Sequence, residues 1–166
     1  MAISYSLDLV TPLTSLEVAQ KLNEVARSLR LLDASATETP DTLLGVGTVT
    51  AYGTWIRVVT AKPLPWGDPM IGGRAFAATV SVVFRLDKEA DISAQQDAIV
   101  RLATGLLSQV SGDAALHVDY EDVWLLRQGG DLSLSERSDF WPAHRLVGLA
   151  SPYRRQDHEF LFPEDD

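Results

Sequence analysis

Strict alternation of apolar with polar or small residues marks two strands of the chain. In the first strand, residues 3–10, the apolar positions are Ile3, Tyr5, Leu7 and Leu9. In the second strand, residues 76–86, one face carries Phe76, Ala78, Val80, Val82, Phe84 and Leu86, and the other carries the small residues Ala77, Thr79 and Ser81. A period of two is the spacing of side chains on one face of a β-strand. The length of the second strand predicts a place in the middle of a sheet.

Two other stretches have helical spacing of their apolar residues. Residues 15–31 follow a capping box, in which Thr14 caps the helix and Glu17 reaches back to it. Residues 93–110 show a similar apolar stripe. Shorter runs rich in β-branched or aromatic residues predict further strands at 46–51, 54–61, 115–127 and 132–134.

The predicted order of elements is therefore β-α-β-β-β-α-β-β. Two helices with one apolar stripe each can both be buried on one face of a sheet. The pattern predicts an α+β fold, a two-layer sandwich with a mostly antiparallel sheet and two helices on one face. The other sheet face is then solvated or an interface.

The rest of the chain is expected to lack regular structure for most of its length. Residues 33–45 and 62–74 are rich in turn-forming residues, and the segment from about 135 onwards is mostly irregular. Strands near 144–150 and 157–162 are weaker predictions, as is a bulge near Glu121 and Asp122. The length of 166 residues fits a single α+β domain spanning 1–166.

Composition narrows the classes of function. The chain has no cysteine, so thiol chemistry is absent. Its formal net charge is -9, so the expected partner is basic. Nucleic acid and anionic membranes are disfavoured as partners because both repel an acidic protein. No signal peptide or membrane span is recognisable, which predicts a cytoplasmic protein. No catalytic motif is present, so we expect no enzyme activity, no cofactor and no metal.

One group of residues nevertheless supports a hypothesis of metal binding or hydrolysis. On a strand over 115–127, His117, Asp119 and Glu121 would share one face, where they could bind a divalent metal or act as a hydrolase site. The simpler interpretation is the polar face of a half-exposed strand, used with Asp122 as an acidic recognition surface. The other two histidines, His144 and His158, are interpreted as ordinary surface residues.

The predicted partner-binding residues combine this acidic stretch with two proline-bounded loops. Tryptophans beside carboxylates are typical of binding hot spots, although they can equally close the ends of a core. The predicted set is Asp119, Glu121, Asp122, Trp66, Asp68 and Trp141. A regulatory or small-ligand binding domain, using Ala77, Thr79 and Ser81, is the alternative function.

Several segments together resemble a family of bacterial immunity proteins. The segments are Ala2–Leu9, Gly53–Val58, Val80–Lys88 with Gln95–Asp97, and Val123–Arg127. They are similar to the swarming-inhibition toxin immunity proteins of the third type. This resemblance implies a cytoplasmic protein that binds and neutralises a cognate toxin by non-catalytic protein–protein interaction. It implies no particular site residues.

Overall fold

The fold is centred on an eight-stranded sheet in a computed structural model that describes residues 3–32 and 40–163. Ten strands are described: β1 Ser4–Leu9, β2 Thr48–Val49, β3 Trp55–Thr60, β4 Met70–Ile71, β5 Arg74–Ala75, β6 Val80–Arg85, β7 Ala114–Val118, β8 Asp122–Gln128, β9 Asp131–Leu134 and β10 Arg154–Arg155. The large sheet has the order β10-β9-β8-β7-β1-β6-β3-β2, and β4 and β5 form a separate hairpin.

The N-terminal strand β1 lies inside the large sheet. It pairs antiparallel with β6, with Leu7 opposite Val82, and antiparallel with β7, with Leu7 opposite Leu116. Every other pairing is antiparallel except that of β10 with β9. The predicted α+β sandwich with a mostly antiparallel sheet is therefore confirmed, and β6 is an interior strand between β1 and β3.

Four helices are described, of which two are long. They are α1 Ser15–Ser28, α2 Pro40–Leu44, α3 Ile92–Leu107 and α4 Ala143–Val147. The predicted capping box of α1 is present, since the Thr14 hydroxyl accepts from the Glu17 amide and the Glu17 carboxylate accepts from the Thr14 amide. Asp91 caps α3 in a similar way by accepting from the amide of Ala94.

The main hydrophobic core lies between the two long helices and one face of the sheet. It joins Val18 and Leu22 of α1 and Ile99 of α3 to strand residues that include Val82 and Phe84. Both strand side chains are fully buried. Burial of this apolar surface is the dominant stabilising contribution to the fold.

The opposite face of the sheet is partly covered by a second, smaller hydrophobic cluster. Its buried residues are Ile71, Phe76, Ala115, Val123, Leu126 and Phe160. Phe76, with Ala78 at its border, is on the side opposite Val80, because β6 begins only at Val80. The prediction that these residues share one face with Val80 is wrong.

The predicted strand 115–127 is in fact a hairpin of β7 and β8. Its β-bulge lies at Trp124 rather than near Glu121, because Leu116 pairs with Leu125 and His117 with Val123. Trp124 and Leu125 consequently both lie in the main core. The break in alternation that suggested a bulge is caused by the turn.

Three smaller predictions are also corrected. Residues 144–147 belong to α4 instead of a strand, and residues 148–150 follow it without regular structure. Residues 62–74 include β4 and the start of β5, which Gly72 and Gly73 connect with positive φ. Residues 33–39 of the predicted loop are outside the described residues, whereas 40–44 form α2. Among the described residues, no helix is both long and apolar enough to cross a bilayer.

Candidate partner-binding surface

The turn between β7 and β8 carries the exposed carboxylates of the predicted acidic stretch. Asp119 and Tyr120 have φ values of 51° and 59°, and the Glu121 amide donates to the Val118 carbonyl at 2.9 Å. Two successive positive φ values are characteristic of a tight hairpin turn. His117, Asp119 and Glu121 therefore do not share a strand face, and the prediction that they do is wrong.

His117 is buried on the sheet side that faces the second cluster, with only 2% of the residue exposed. Its Nδ1 accepts a hydrogen bond from the Tyr120 amide at 3.0 Å, and its Nε2 lies 2.8 Å from Asp8 Oδ2. Since Nδ1 is an acceptor, the proton is on Nε2, which donates to the Asp8 carboxylate. Both ring nitrogens are occupied, so the geometry does not support a hydrolase or a metal site at His117.

Asp8 is the centre of a buried polar network. Its other carboxylate oxygen, Oδ1, accepts from the Ser81 hydroxyl at 2.7 Å. Burial, together with the negative charge and hydrogen bonding of Asp8, raises the pKa of Tyr120 to about 12. The network holds the β7–β8 turn against β1 and β6, which fixes the position of the exposed carboxylates on either side of Tyr120.

The small-residue face offered as a ligand site is also occupied by internal contacts. Ser81 donates to Asp8, and the Thr79 hydroxyl bonds to backbone groups of Leu9 and Thr11. Ala77, the third member, is exposed. The Ser81 and Thr79 side chains thus connect β6 and the residue before it to β1 and to Thr11.

A chain of aromatic rings connects Trp66 to the acidic turn. Trp66 is 49% exposed and packs edge-on against Phe162, with ring centroids 6.2 Å apart. Phe162 in turn packs against Tyr120 at 5.6 Å. Reciprocal backbone hydrogen bonds between Met70 and Leu161, at 2.7 and 2.8 Å, hold the segment that follows Trp66 beside the segment that contains Phe162.

These contacts bring predicted residues from distant parts of the sequence onto one surface. We call it the aromatic–acidic face and define it by the exposed residues Trp66, Met70, Leu161, Phe162, Asp68, Asp119 and Glu121. Leu161 is the most exposed of its apolar members, at 63%. Leu161 and Phe162 were not among the predicted residues, although the apolar run Phe160–Phe162, which follows Glu159, was the available signal.

Asp122 differs from its neighbours because its charge is paired. Arg137 donates to Asp122 at 2.9 Å and to Asp139 at 2.6 Å, and this second hydrogen bond holds the pKa of Asp139 below its ordinary value. The guanidinium also lies over the Trp124 ring, 4.8 Å from its centroid. All three charged groups are substantially exposed, so the cluster of Arg137, Asp122 and Asp139 lies at the molecular surface.

Trp141 is placed in the core, away from the surface. Only 1% of the residue is exposed, and its indole N–H donates to the Trp124 carbonyl at 2.9 Å. The two remaining histidines have unrelated partners, since His144 lies 3.3 Å from Asp97 and His158 bonds to Ser133 at 2.9 Å. Among the described residues, no group of three or more potential metal ligands is assembled.

Comparison with protein families gives a match over most of the chain. Residues 3–145 match the family described as SitI3-like. Neither the curated proteins nor the solved structures include a match. The family match confirms the resemblance to swarming-inhibition toxin immunity proteins, and it includes both long helices and most of the sheet. The chain belongs to the SitI3-like family.

Proposed function

We propose that this chain is an immunity protein that binds a cognate bacterial toxin in the cytoplasm and neutralises it without catalysis. The family match over residues 3–145 carries the proposal. The surface chemistry supports it, because exposed aromatic side chains lie beside carboxylates on the aromatic–acidic face. Aromatic residues are enriched among the side chains that dominate binding energy at protein interfaces.

The proposed interface has an apolar centre and an acidic rim. Trp66 and Phe162 supply large rings that a partner can desolvate, whereas Asp68, Asp119 and Glu121 supply negative charge around them. A basic toxin surface would be complementary to this arrangement, and the net charge of -9 would accelerate its approach. Neutralisation would follow from blocking the toxin surface, which requires no reacting group on this chain.

The test is direct binding to the product of the toxin gene adjacent to the gene for this chain, measured by calorimetry with purified proteins. Trp66→Ala should weaken binding about tenfold or more, as expected when a central aromatic anchor is removed. Tyr52→Ala is the matched control, since Tyr52 is also an exposed aromatic residue but is not part of this face.

The possible outcomes separate the function from the surface. If the unaltered protein does not bind the neighbouring toxin, the proposed function is refuted. If it binds, but Trp66→Ala and Tyr52→Ala have the same affinity as the unaltered protein, the function stands and the aromatic–acidic face is not the interface.

A further inference from the structure

A solvent-open cleft lies on the helical side of the molecule, formed by elements that do not belong to the aromatic–acidic face. It has a volume of about 860 Å³ and lies between the ends of α1 and α3, the β8–β9 turn and residues 148–154. This volume is within the roughly 300–1,000 Å³ range of small-molecule sites. A second cavity of about 280 Å³ adjoins it and shares Arg101, Thr104, Gly148 and Leu149.

The charge of the cleft is opposite to that of the whole molecule. Three arginines line it, Arg101, Arg127 and Arg154, against a single carboxylate, Asp131. Arg154 and Asp131 are 3.7 Å apart but are 68% and 76% exposed, so solvent weakens their attraction. Within the described parts of the chain, Arg101 has no ion-pair partner.

Arg127 forms a fixed wall of the cleft. Its guanidinium donates to the carbonyls of Leu107, Val110 and Gly112, at and beyond the C-terminal end of α3. A cation in this position is stabilised by the helix dipole. Of the three arginines, Arg101 and Arg154 are therefore the two that can bind a ligand from solvent.

The remaining lining combines apolar side chains with hydroxyl groups and the amide of Gln109. Val25, Leu29, Leu132, Leu149 and Tyr153 contribute to the walls. An apolar surface favours a hydrocarbon or aromatic body, and guanidinium groups favour a carboxylate, phosphate or sulfonate. We propose that this cleft binds a hydrophobic anion, with its apolar body against the walls and its acidic head between Arg101 and Arg154.

The test uses 8-anilinonaphthalene-1-sulfonate, an aromatic sulfonate that fluoresces when bound, titrated into the full chain. Arg101→Glu with Arg154→Glu should weaken binding about tenfold or more, because the acidic head then meets two negative charges. Arg57→Glu with Lys62→Glu is the control, since both residues are exposed and the change in net charge is the same. The control should bind the dye nearly as well as the unaltered protein.

Two further measurements distinguish binding in the cleft from binding elsewhere on the molecule. Trp66→Ala should leave dye binding unchanged, and a loss there would place the dye on the aromatic–acidic face and overturn the proposal. Octanoate should displace the dye at concentrations at which octanol does not, because only octanoate carries an acidic head. Equal displacement by the two, or equal effects of the two double variants, would also overturn it.

Discussion

Buried polar side chains organise the segments between the main elements. Gln95 is fully buried in α3, where its amide oxygen accepts from the Thr54 hydroxyl at 2.9 Å and from the Asp87 amide at 2.8 Å. Its amide nitrogen donates to the Asp87 carbonyl at 2.8 Å. One side chain thus satisfies the backbone of the β6–α3 connection, which would otherwise lose hydrogen bonds to water on burial.

A single residue, His158, also leads us to predict how the stability of the protein depends on pH. Burial, and secondarily the positive charge of Arg154, lowers the pKa of His158 in the folded protein. In the unfolded chain the pKa returns to its ordinary value of about 6.5. The unfolded state therefore binds the proton more readily, so this contribution to stability is present above about pH 6.5 and is lost as the pH falls.

Urea denaturation at about pH 7.5 and about pH 5 measures this effect. His158→Gln should reduce the loss of unfolding free energy between the two pH values. An unaltered pH dependence in His158→Gln would show that His158 does not contribute.

At the scale of elements, β6 is the critical strand because it connects β1 to β3 and lies beneath the helices. Phe84→Ala should lower the unfolding free energy by about 3–5 kcal/mol, the usual cost of a large cavity in a core. Leu132→Ala, in partly buried β9, should cost less. Chemical denaturation of the two variants measures the difference, and equal costs would contradict the central role of β6.

The sequence predicted an element well where the residues that define it lie close together in the chain. The capping box of Thr14 and Glu17 is a contact between residues three positions apart, so the sequence contains it completely. The β7–β8 turn was missed because Asp119 and Tyr120 adopt positive φ without the usual Asn-Gly pair, and because the bulge at Trp124 changes the alternation. Both depend on tertiary packing.

The candidate site depends even more on contacts between distant residues. Trp66, Asp68, Asp119 and Glu121 could be proposed individually from composition, but only the packing of Phe162 against Trp66 and Tyr120 brings them together. Asp8 alternates with the apolar residues of β1, and its carboxylate is buried against His117, which is 109 positions away. No local pattern contains that information.

Across the whole molecule, the carboxylates of the aromatic–acidic face are expected to make the rate of association with the toxin depend on salt concentration. Asp119→Lys with Glu121→Lys should slow association with the toxin and weaken its dependence on ionic strength, because these charges border the proposed interface. Glu24→Lys with Glu89→Lys changes the net charge equally at exposed sites elsewhere and should have a smaller effect. Stopped-flow association rates measured over a range of salt concentrations compare them.

Equal slowing by the two double variants would show that overall charge alone determines the association rate. Faster dissociation in Asp119→Lys with Glu121→Lys would also indicate that these carboxylates form close contacts in the complex, beyond long-range steering.

The interior position of β1 has a consequence for how the chain is made. In chain order, β1 has no partner on either edge until β6 is synthesised and none on its second edge until β7 follows, since Leu9 pairs with Val80 and Ser6 pairs with His117. Such long separations slow folding and leave apolar strand edges exposed meanwhile. The middle of the sheet therefore cannot form during synthesis until β7 has followed β1 and β6.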